Sequence, residues 1–182
     1  MDLREQKTKK SIHNAFLELR AHKPLERITV KELAELAQIS KATFYLHYQD
    51  IYDLSTRMQD DVIQRVLESI VRADLFMEDP TLFTMQLFSA FNAQQHLTDI
   101  LFSGTQASVL PIRIESALKE HIFRILPDTR DDARFNIFLT YQIQGGYYAY
   151  SENRRRFGDK QVLDTLKEIM DLLHPKETGS IP

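Results

Sequence analysis

Two helix-start signals lie close together in this chain and constrain its fold more than any other feature of the sequence. Thr29 followed by Glu32 forms a capping box, in which the threonine oxygen and the glutamate satisfy backbone donors of a first helical turn. Ser40 is a second favourable N-cap residue. The sequence therefore predicts two short helices joined by a tight corner, the first of them beginning near Val30.

Apolar residues recur at helical spacing in both predicted helices. In the first helix they stand at i, i+3, i+4 and i+7, which places one stripe against a core: Val30, Leu33, Ala34 and Ala37. The second helix is predicted from Lys41 to Tyr48. In it Phe44 lies one turn before Tyr48, and Ile39 is expected to fill the corner. Other side chains are expected to project away from the Phe44 side: Lys41, Thr43, Tyr45 and His47.

A polar exposed face on the second helix is typical of a helix-turn-helix. The major groove of DNA admits one helix, and long polar side chains on its exposed face reach phosphates and base edges. An ordinary helical hairpin with a polar solvent face has the same periodicity, so the pattern alone leaves both interpretations open.

The segment from Thr29 to Leu54, with ISKATFYLHYQDIYDL at its centre, resembles the DNA-binding region of TetR/AcrR-type transcriptional regulators. The resemblance covers residues 8–56, and the rest of the chain matches only in length and helical character. It implies that seven residues lie at or near DNA: Thr29, Ser40, Lys41, Thr43, Tyr45, His47 and Tyr48. We expect Thr43 and Tyr45 to reach bases. The phosphate contacts are expected from Lys41, His47 and Tyr48.

Two positions depart from the family pattern. Gln38 stands where the corner usually holds a glycine, and glutamine adopts the left-handed conformation less readily. Gln49, Asp50 and Ile51 stand where the family often has a lysine at the start of the next helix. These departures keep an alternative function open, a helical adaptor that does not bind DNA.

The composition indicates a protein that folds on its own in the cytoplasm. Of its 182 residues 43% are hydrophobic, which is ample for a buried core. The chain has no cysteine, which excludes disulfides and thiolate metal sites. Its N-terminus lacks the apolar core of a signal peptide, and no apolar run approaches the ~18 residues of a membrane span. We therefore expect no membrane partner.

The net charge of −3 conceals an asymmetry along the chain. Residues 1–48 hold nine Lys and Arg against six Asp and Glu, whereas residues 49–182 hold fourteen against twenty. A weakly basic N-terminal part on an acidic body suits a small DNA-facing module, because phosphate contacts supply most non-specific affinity for DNA.

Periodicity and breakers predict an all-α fold throughout the chain. Besides the two short helices, we expect a first helix at 4–20, a fourth from Asp50 to about Ala73, two helices after Pro80 with a break near Asn92, and three more at 108–126, 131–153 and 159–174. We predict an N-terminal three-helix helix-turn-helix domain at 1–49 and a C-terminal helical ligand-binding and dimerisation domain at 50–182.

The segment after Pro80 is rich in Leu, Phe and Met and contains candidates for a ligand pocket, because apolar pockets use flexible and aromatic walls. The candidates are Phe83, Met85, Phe88, Phe91, His96 and Phe102. Each of them also suits a simple core position. His96 and Asp99 alone are too few for a metal site. No Arg or Lys occurs from Leu75 to Pro111, so we expect an apolar, uncharged small-molecule effector.

Gly145 and Gly146 lie in the middle of the predicted long helix, where each costs about 1 kcal/mol relative to alanine. Either another helix crosses closely there or the helix bends, and we favour the crossing. The family resemblance implies that the last two long helices build a homodimer interface. We assign five residues to it: Gly145, Gly146, Leu163, Leu166 and Met170.

These features predict a dimeric DNA-binding transcriptional regulator, a repressor that a small molecule releases from a double-stranded DNA operator. An enzyme is the competing class. The sequence contains no Gly-rich phosphate loop, no HExxH and no GxSxG, so we expect no catalysis, no cofactor and no metal.

Overall fold

The computed structural model describes residues 3–70 and 75–173. Within these residues the fold is all-α and contains no strand, which confirms the predicted class. Ten α-helices are described: α1 Leu3–His22, α2 Val30–Leu36, α3 Lys41–Tyr45, α4 Ile51–Glu68, α5 Leu75–Glu78, α6 Pro80–Ala93, α7 Gln95–Leu101, α8 Val109–Ile125, α9 Ala133–Phe157 and α10 Asp159–Leu173. Short 3-10 helices lie at Leu25–Arg27, Gly104–Gln106 and Pro127–Thr129.

Several helix boundaries in the structure differ from the predicted ones. The second short helix was expected to reach Tyr48, but α3 ends at Tyr45. The fourth helix ends at Glu68 rather than near Ala73, and residues 71–74 lie outside the described residues. α9 continues beyond Asn153 to Phe157. The expected break near Asn92 falls at Gln94, and the expected end of the last helix at residue 174 lies outside the described residues.

The chain divides into two compact units. Unit 1 comprises Met1–Gln64 and Gln94–Leu110, and unit 2 comprises Arg65–Ala93 and Pro111–Pro182. The first boundary therefore falls inside α4. The division into functional domains after residue 49 stays a prediction.

Unit 1 is built around α1, which packs against α2 and α7, while α2 packs against α3. Its most deeply buried side chains come from five helices: Ile12, Phe16, Leu33, Phe44, Leu54 and Leu101. The predicted stripe of α2 is confirmed for three of its members, Leu33, Ala34 and Ala37, and its fourth member, Val30, is half-buried.

Hydrogen bonds tie the segment 94–110 to the N-terminal helices of unit 1. Arg20 is only 4% exposed. Its Nη1 donates to the Lys23 carbonyl oxygen at 2.9 Å and its Nη2 to Ser103 Oγ at 2.8 Å. From α4, the buried Gln59 Nε2 donates to the Leu101 carbonyl oxygen at 3.0 Å. Burial lowers the pKa of Arg20, and Glu26 opposes this.

In unit 2, α9 packs against α10, α10 also packs against α6, and α5 packs against α6. Gly158 connects α9 to α10 with φ +80°, a conformation that glycine adopts without strain. The buried side chains of this unit include Phe83, Ile114, Leu118, Ile122, Leu139, Val162, Leu166 and Met170.

A polar cluster joins α8 to α9 within unit 2. The Glu115 carboxylate accepts hydrogen bonds from Thr140 Oγ1 at 2.6 Å and from Gln144 Nε2 at 2.7 Å. Lys119 Nζ lies 2.8 Å from the same carboxylate. Burial of Glu115 opposes its ionisation, but the hydrogen bonds from Lys119, Thr140 and Gln144 outweigh it and lower its pKa to about 2.

Among residues 3–70 and 75–173, no other helix of the same chain crosses α9 closely at its glycine pair. A Cβ atom added at Gly145 would meet no atom of the described residues within 4 Å, and one added at Gly146 would lie 3.7 Å from Phe88 Cζ, an ordinary contact distance. The crossing that we expected is therefore wrong for this chain's own helices. A crossing with a second copy stays a prediction.

No helix within residues 3–70 and 75–173 combines the length and the apolar character needed to cross a membrane.

Candidate nucleic-acid interface

The start of α2 follows from its N-cap. Thr29 Oγ1 accepts a hydrogen bond from the backbone N–H of Glu32 at 3.2 Å, as predicted. The other half of the predicted capping box is wrong, because the Glu32 carboxylate accepts a hydrogen bond from Lys23 Nζ instead. α2 therefore begins where the sequence predicts, and its first acidic residue anchors the end of α1.

The corner between α2 and α3 is a Schellman turn centred on Gln38. The backbone N–H of Ile39 donates to the Ala34 carbonyl oxygen at 3.0 Å, and that of Gln38 donates to Glu35 at 3.2 Å. Gln38 has φ +56°, the left-handed conformation that glycine normally provides. The glutamine thus adopts the geometry of the glycine that the family pattern has at this position.

Ser40 fixes the start of α3. Its Oγ accepts a hydrogen bond from the Thr43 backbone N–H at 3.0 Å and lies 2.8 Å from Thr43 Oγ1. Both hydroxyls are therefore engaged in holding the first turn of the helix. The backbone N–H of Leu46 donates to Ala42, and that of His47 donates to Phe44 at 2.9 Å, so the chain keeps its helical course just past Tyr45.

The buried side of α3 and of the residues that follow it carries aromatic side chains. Phe44 is fully buried, and Tyr48 is 5% exposed. The Tyr48 hydroxyl lies 2.8 Å from His13 Nε2, and the Arg57 guanidinium lies 5.5 Å from the centroid of the Tyr48 ring. Burial raises the pKa of Tyr48, while Arg57 opposes the rise. Tyr48 is thus a core residue, and only its hydroxyl remains as a candidate for the predicted phosphate contact.

All seven predicted DNA-binding residues lie in unit 1, and they differ in exposure. Four are exposed: Thr29, Ser40, Lys41 and Tyr45. Thr43 and His47 are half-buried. The sequence reasoning missed Leu46, which is 81% exposed, and its exposed neighbour one turn earlier, Ala42. The i, i+3, i+4 relation of Ala42 to Tyr45 and Leu46 is the signal that identifies them.

Two carboxylates lie at the N-terminus of α4: Asp50 directly before its first residue, and Asp53 in its first turn. Asp50 Oδ1 accepts a hydrogen bond from the Asp53 backbone N–H at 2.8 Å, which confirms Asp50 as the predicted cap. Asp53 accepts from the Gln49 backbone N–H at 2.9 Å and from Arg57 Nε at 2.8 Å. The hydrogen bond from Arg57 lowers the pKa of Asp53. This helix start therefore carries negative charge where the resembled family often has a lysine.

The predicted pocket residues are divided between the two units. Four lie on α6 in unit 2, with Phe83 buried and the others half-buried: Phe83, Met85, Phe88 and Phe91. In unit 1, His96 is exposed and Phe102 is buried. A depression of 580 Å³ in unit 2 is lined by residues of the α9–α10 junction, among them Phe157, Asp159, Lys160 and Asp164, and by none of the six.

Leu166 and Met170, two of the predicted interface residues, face the core of unit 2, and Leu163 is half-buried. The large exposed apolar side chains lie elsewhere on α9 and α10. On α9, Ile137 is 70% exposed, Tyr141 66% and Tyr148 51%. With the exposed Gly145 they follow a spacing of four, four and three residues, which is one face of a helix. The sequence reasoning assigned the glycine to the interface but missed these neighbours.

In the part of the chain that the structure describes, no three His, Asp or Glu side chains converge as metal ligands. No protein-family model matches the chain. No curated protein matches it either.

Proposed function

We propose that this protein is a cytoplasmic, dimeric DNA-binding transcriptional regulator of the TetR type, in which α2 and α3 form a helix-turn-helix. One observation carries the proposal: α3 buries Phe44 and exposes Lys41 and Tyr45 on its other side, at the end of a tight Schellman turn. A short capped helix held rigidly by its core and open on one face suits the major groove.

The exposed apolar face of α9 supports the dimer. Monomeric proteins rarely expose a contiguous apolar stripe of this kind, and Gly145 at its middle lets a second backbone approach. In a symmetric dimer each subunit presents the same face to the other. The two copies of α3 then read half-sites about 34 Å apart or a multiple of that distance.

Release from DNA by a small molecule completes the proposed function. An effector that favours another separation of the two copies of α3 weakens operator binding, which makes the protein a repressor that the effector switches off. The absence of Arg and Lys from residues 75–111 favours an apolar effector. No catalytic role and no cofactor are part of this proposal.

A helical adaptor without DNA binding is the second candidate function. The observation that favours it is the pair of carboxylates, Asp50 and Asp53, at the N-terminus of α4, where they would repel a phosphate. Under this alternative the exposed face of α3 contacts a protein.

A gel shift of the full-length protein with DNA flanking its own gene separates the two candidates. The DNA-binding proposal predicts a retarded band that persists in excess unrelated DNA and weakens as salt rises, because phosphate contacts release counterions. A band abolished by unrelated DNA, or no band at low salt, would contradict the proposal and favour the adaptor.

A further inference from the structure

The exposed face of α3 carries an apolar strip, which we define as Ala42, Tyr45 and Leu46. The backbone of Leu46 is still helical, with φ −71° and ψ −21°, so the i, i+3, i+4 spacing brings the three side chains together on one side. Leu46 is 81% exposed and Tyr45 57% exposed. Such exposure of a leucine beside two other apolar groups is not explained by the fold of unit 1.

Few polar side chains of α3 remain available to contact base edges. The hydroxyls of Ser40 and Thr43 are bound to each other and to the first helical turn. Of the exposed side chains on this helix, Lys41 is the charged one, and its neighbours in the strip are apolar or aromatic. Apolar side chains in a major groove contact the 5-methyl group of thymine.

We propose that the apolar strip selects operator sequences by contact with thymine 5-methyl groups, with Leu46 as a specificity-determining residue. This inference rests on the proposed DNA-binding function. It assigns the strip to DNA because three side chains on one helix cover far less than the roughly 800 Å² per partner of a stable protein interface. The strip also adjoins Lys41, in a segment whose charge balance is basic, which complements a phosphate backbone.

Uracil substitution tests this contact directly. Operators are first selected from randomised duplex DNA with the full-length protein, and each thymine is then replaced in turn by deoxyuridine, which removes only the methyl group. At one or two thymines in each half-site, we expect the substitution to weaken binding of the parent about fourfold, the factor for burial of one methylene-sized group.

The variant Leu46→Ala identifies the residue responsible. We expect it to bind the thymine operator more weakly than the parent and to lose the difference between thymine and uracil at those positions. Because Leu46 is so exposed, thermal melts of the variant should match the parent. The control is Leu82→Ala, an exposed leucine on α6, which should keep both the affinity and the preference for thymine.

Four outcomes overturn the inference in different ways. If the parent binds thymine and uracil operators equally at every position, the methyl contact is contradicted and the proposed function is not. A preference for thymine that persists in Leu46→Ala assigns the contact to another residue. If Leu46→Ala binds as the parent does, the strip has another occupant, such as a protein. Failure to select any DNA sequence contradicts the proposed function itself, and with it this inference.

Discussion

The backbone N–H of Ile39 donates a hydrogen bond to the carbonyl oxygen of Ala34 at 3.0 Å and so closes the turn that leads into α3. The turn requires φ +56° at Gln38, a conformation that costs a residue with a Cβ atom about 1–2 kcal/mol. We therefore predict that Gln38→Gly raises the free energy of unfolding of unit 1 by about 1 kcal/mol. Urea unfolding followed by circular dichroism measures the difference.

The matched control for this substitution is Glu35→Gly, one turn earlier on the exposed side of α2. Its backbone is helical, so glycine there should lower stability by about 1 kcal/mol. If the two substitutions change the free energy of unfolding with opposite signs, the result supports the assigned turn. If Gln38→Gly is less stable than the parent, the left-handed conformation of Gln38 is not a source of strain.

Local signals predicted the starts of α2 and α3 well. Thr29 and Ser40 start α2 and α3 at the expected residues, because an N-cap acts on donors only two or three residues away. Gln38 was identified as unusual by the family resemblance, because the corner of the family pattern usually holds a glycine. The end of α3 was less predictable, because Phe44 and Tyr48 share the core side whether or not the helix continues past Tyr45.

Contacts between distant residues could not be predicted from the sequence. Nothing local indicates that Arg20 binds Ser103 or that Gln59 binds the Leu101 carbonyl, yet these contacts make the segment 94–110 part of unit 1. The predicted pocket residues were grouped by their closeness in sequence, and this distant packing divides them between the units. Leu166 was assigned to the dimer interface by its apolar character, which does not distinguish a core face from a surface face.

The Glu115 cluster predicts a pH-dependent stability of unit 2. The pKa of Glu115 is lowered from its usual 4.5 to about 2, so the folded state favours the ionised carboxylate. The stabilisation is complete above the unfolded pKa and is lost as pH falls through the folded value. Glu115→Gln should therefore lower the free energy of unfolding by up to about 3 kcal/mol at pH 7 and by less than half of that near pH 3.

Unfolding curves of the parent and Glu115→Gln at both pH values measure this loss. Glu120→Gln is the control, because its ion pair with Arg130 is exposed to solvent and should contribute little at either pH. A penalty for Glu115→Gln that is the same at pH 7 and pH 3 would contradict the assignment of the charge to this cluster.

The proposed dimer predicts that Gly145→Leu yields a folded monomer. Within the described part of one chain, nothing lies within 4 Å of the added Cβ atom, and leucine is a better helix former than glycine. The subunit itself should therefore not lose stability. Against a second copy, the leucine would hold the two backbones apart. Gly146→Leu should also disrupt the dimer, but it presses on Phe88 in the same chain and is the less clean test.

Sedimentation at several protein concentrations distinguishes the outcomes for Gly145→Leu. Asn153→Leu, at an exposed position further along α9, is the control and should stay dimeric. If Gly145→Leu stays dimeric and is more stable than the parent, Gly145 does not lie in the dimer interface.

The most direct test of the account is the operator affinity of Tyr45→Ala. Tyr45 is exposed on α3, so the variant should melt as the parent does, whereas Phe44→Ala removes a fully buried ring and should cost about 3–5 kcal/mol of stability. Fluorescence titration of a selected operator at fixed salt is predicted to show that Tyr45→Ala loses roughly 1–3 kcal/mol of binding free energy. A folded Tyr45→Ala protein that binds the operator as tightly as the parent would contradict the claim that α3 reads DNA.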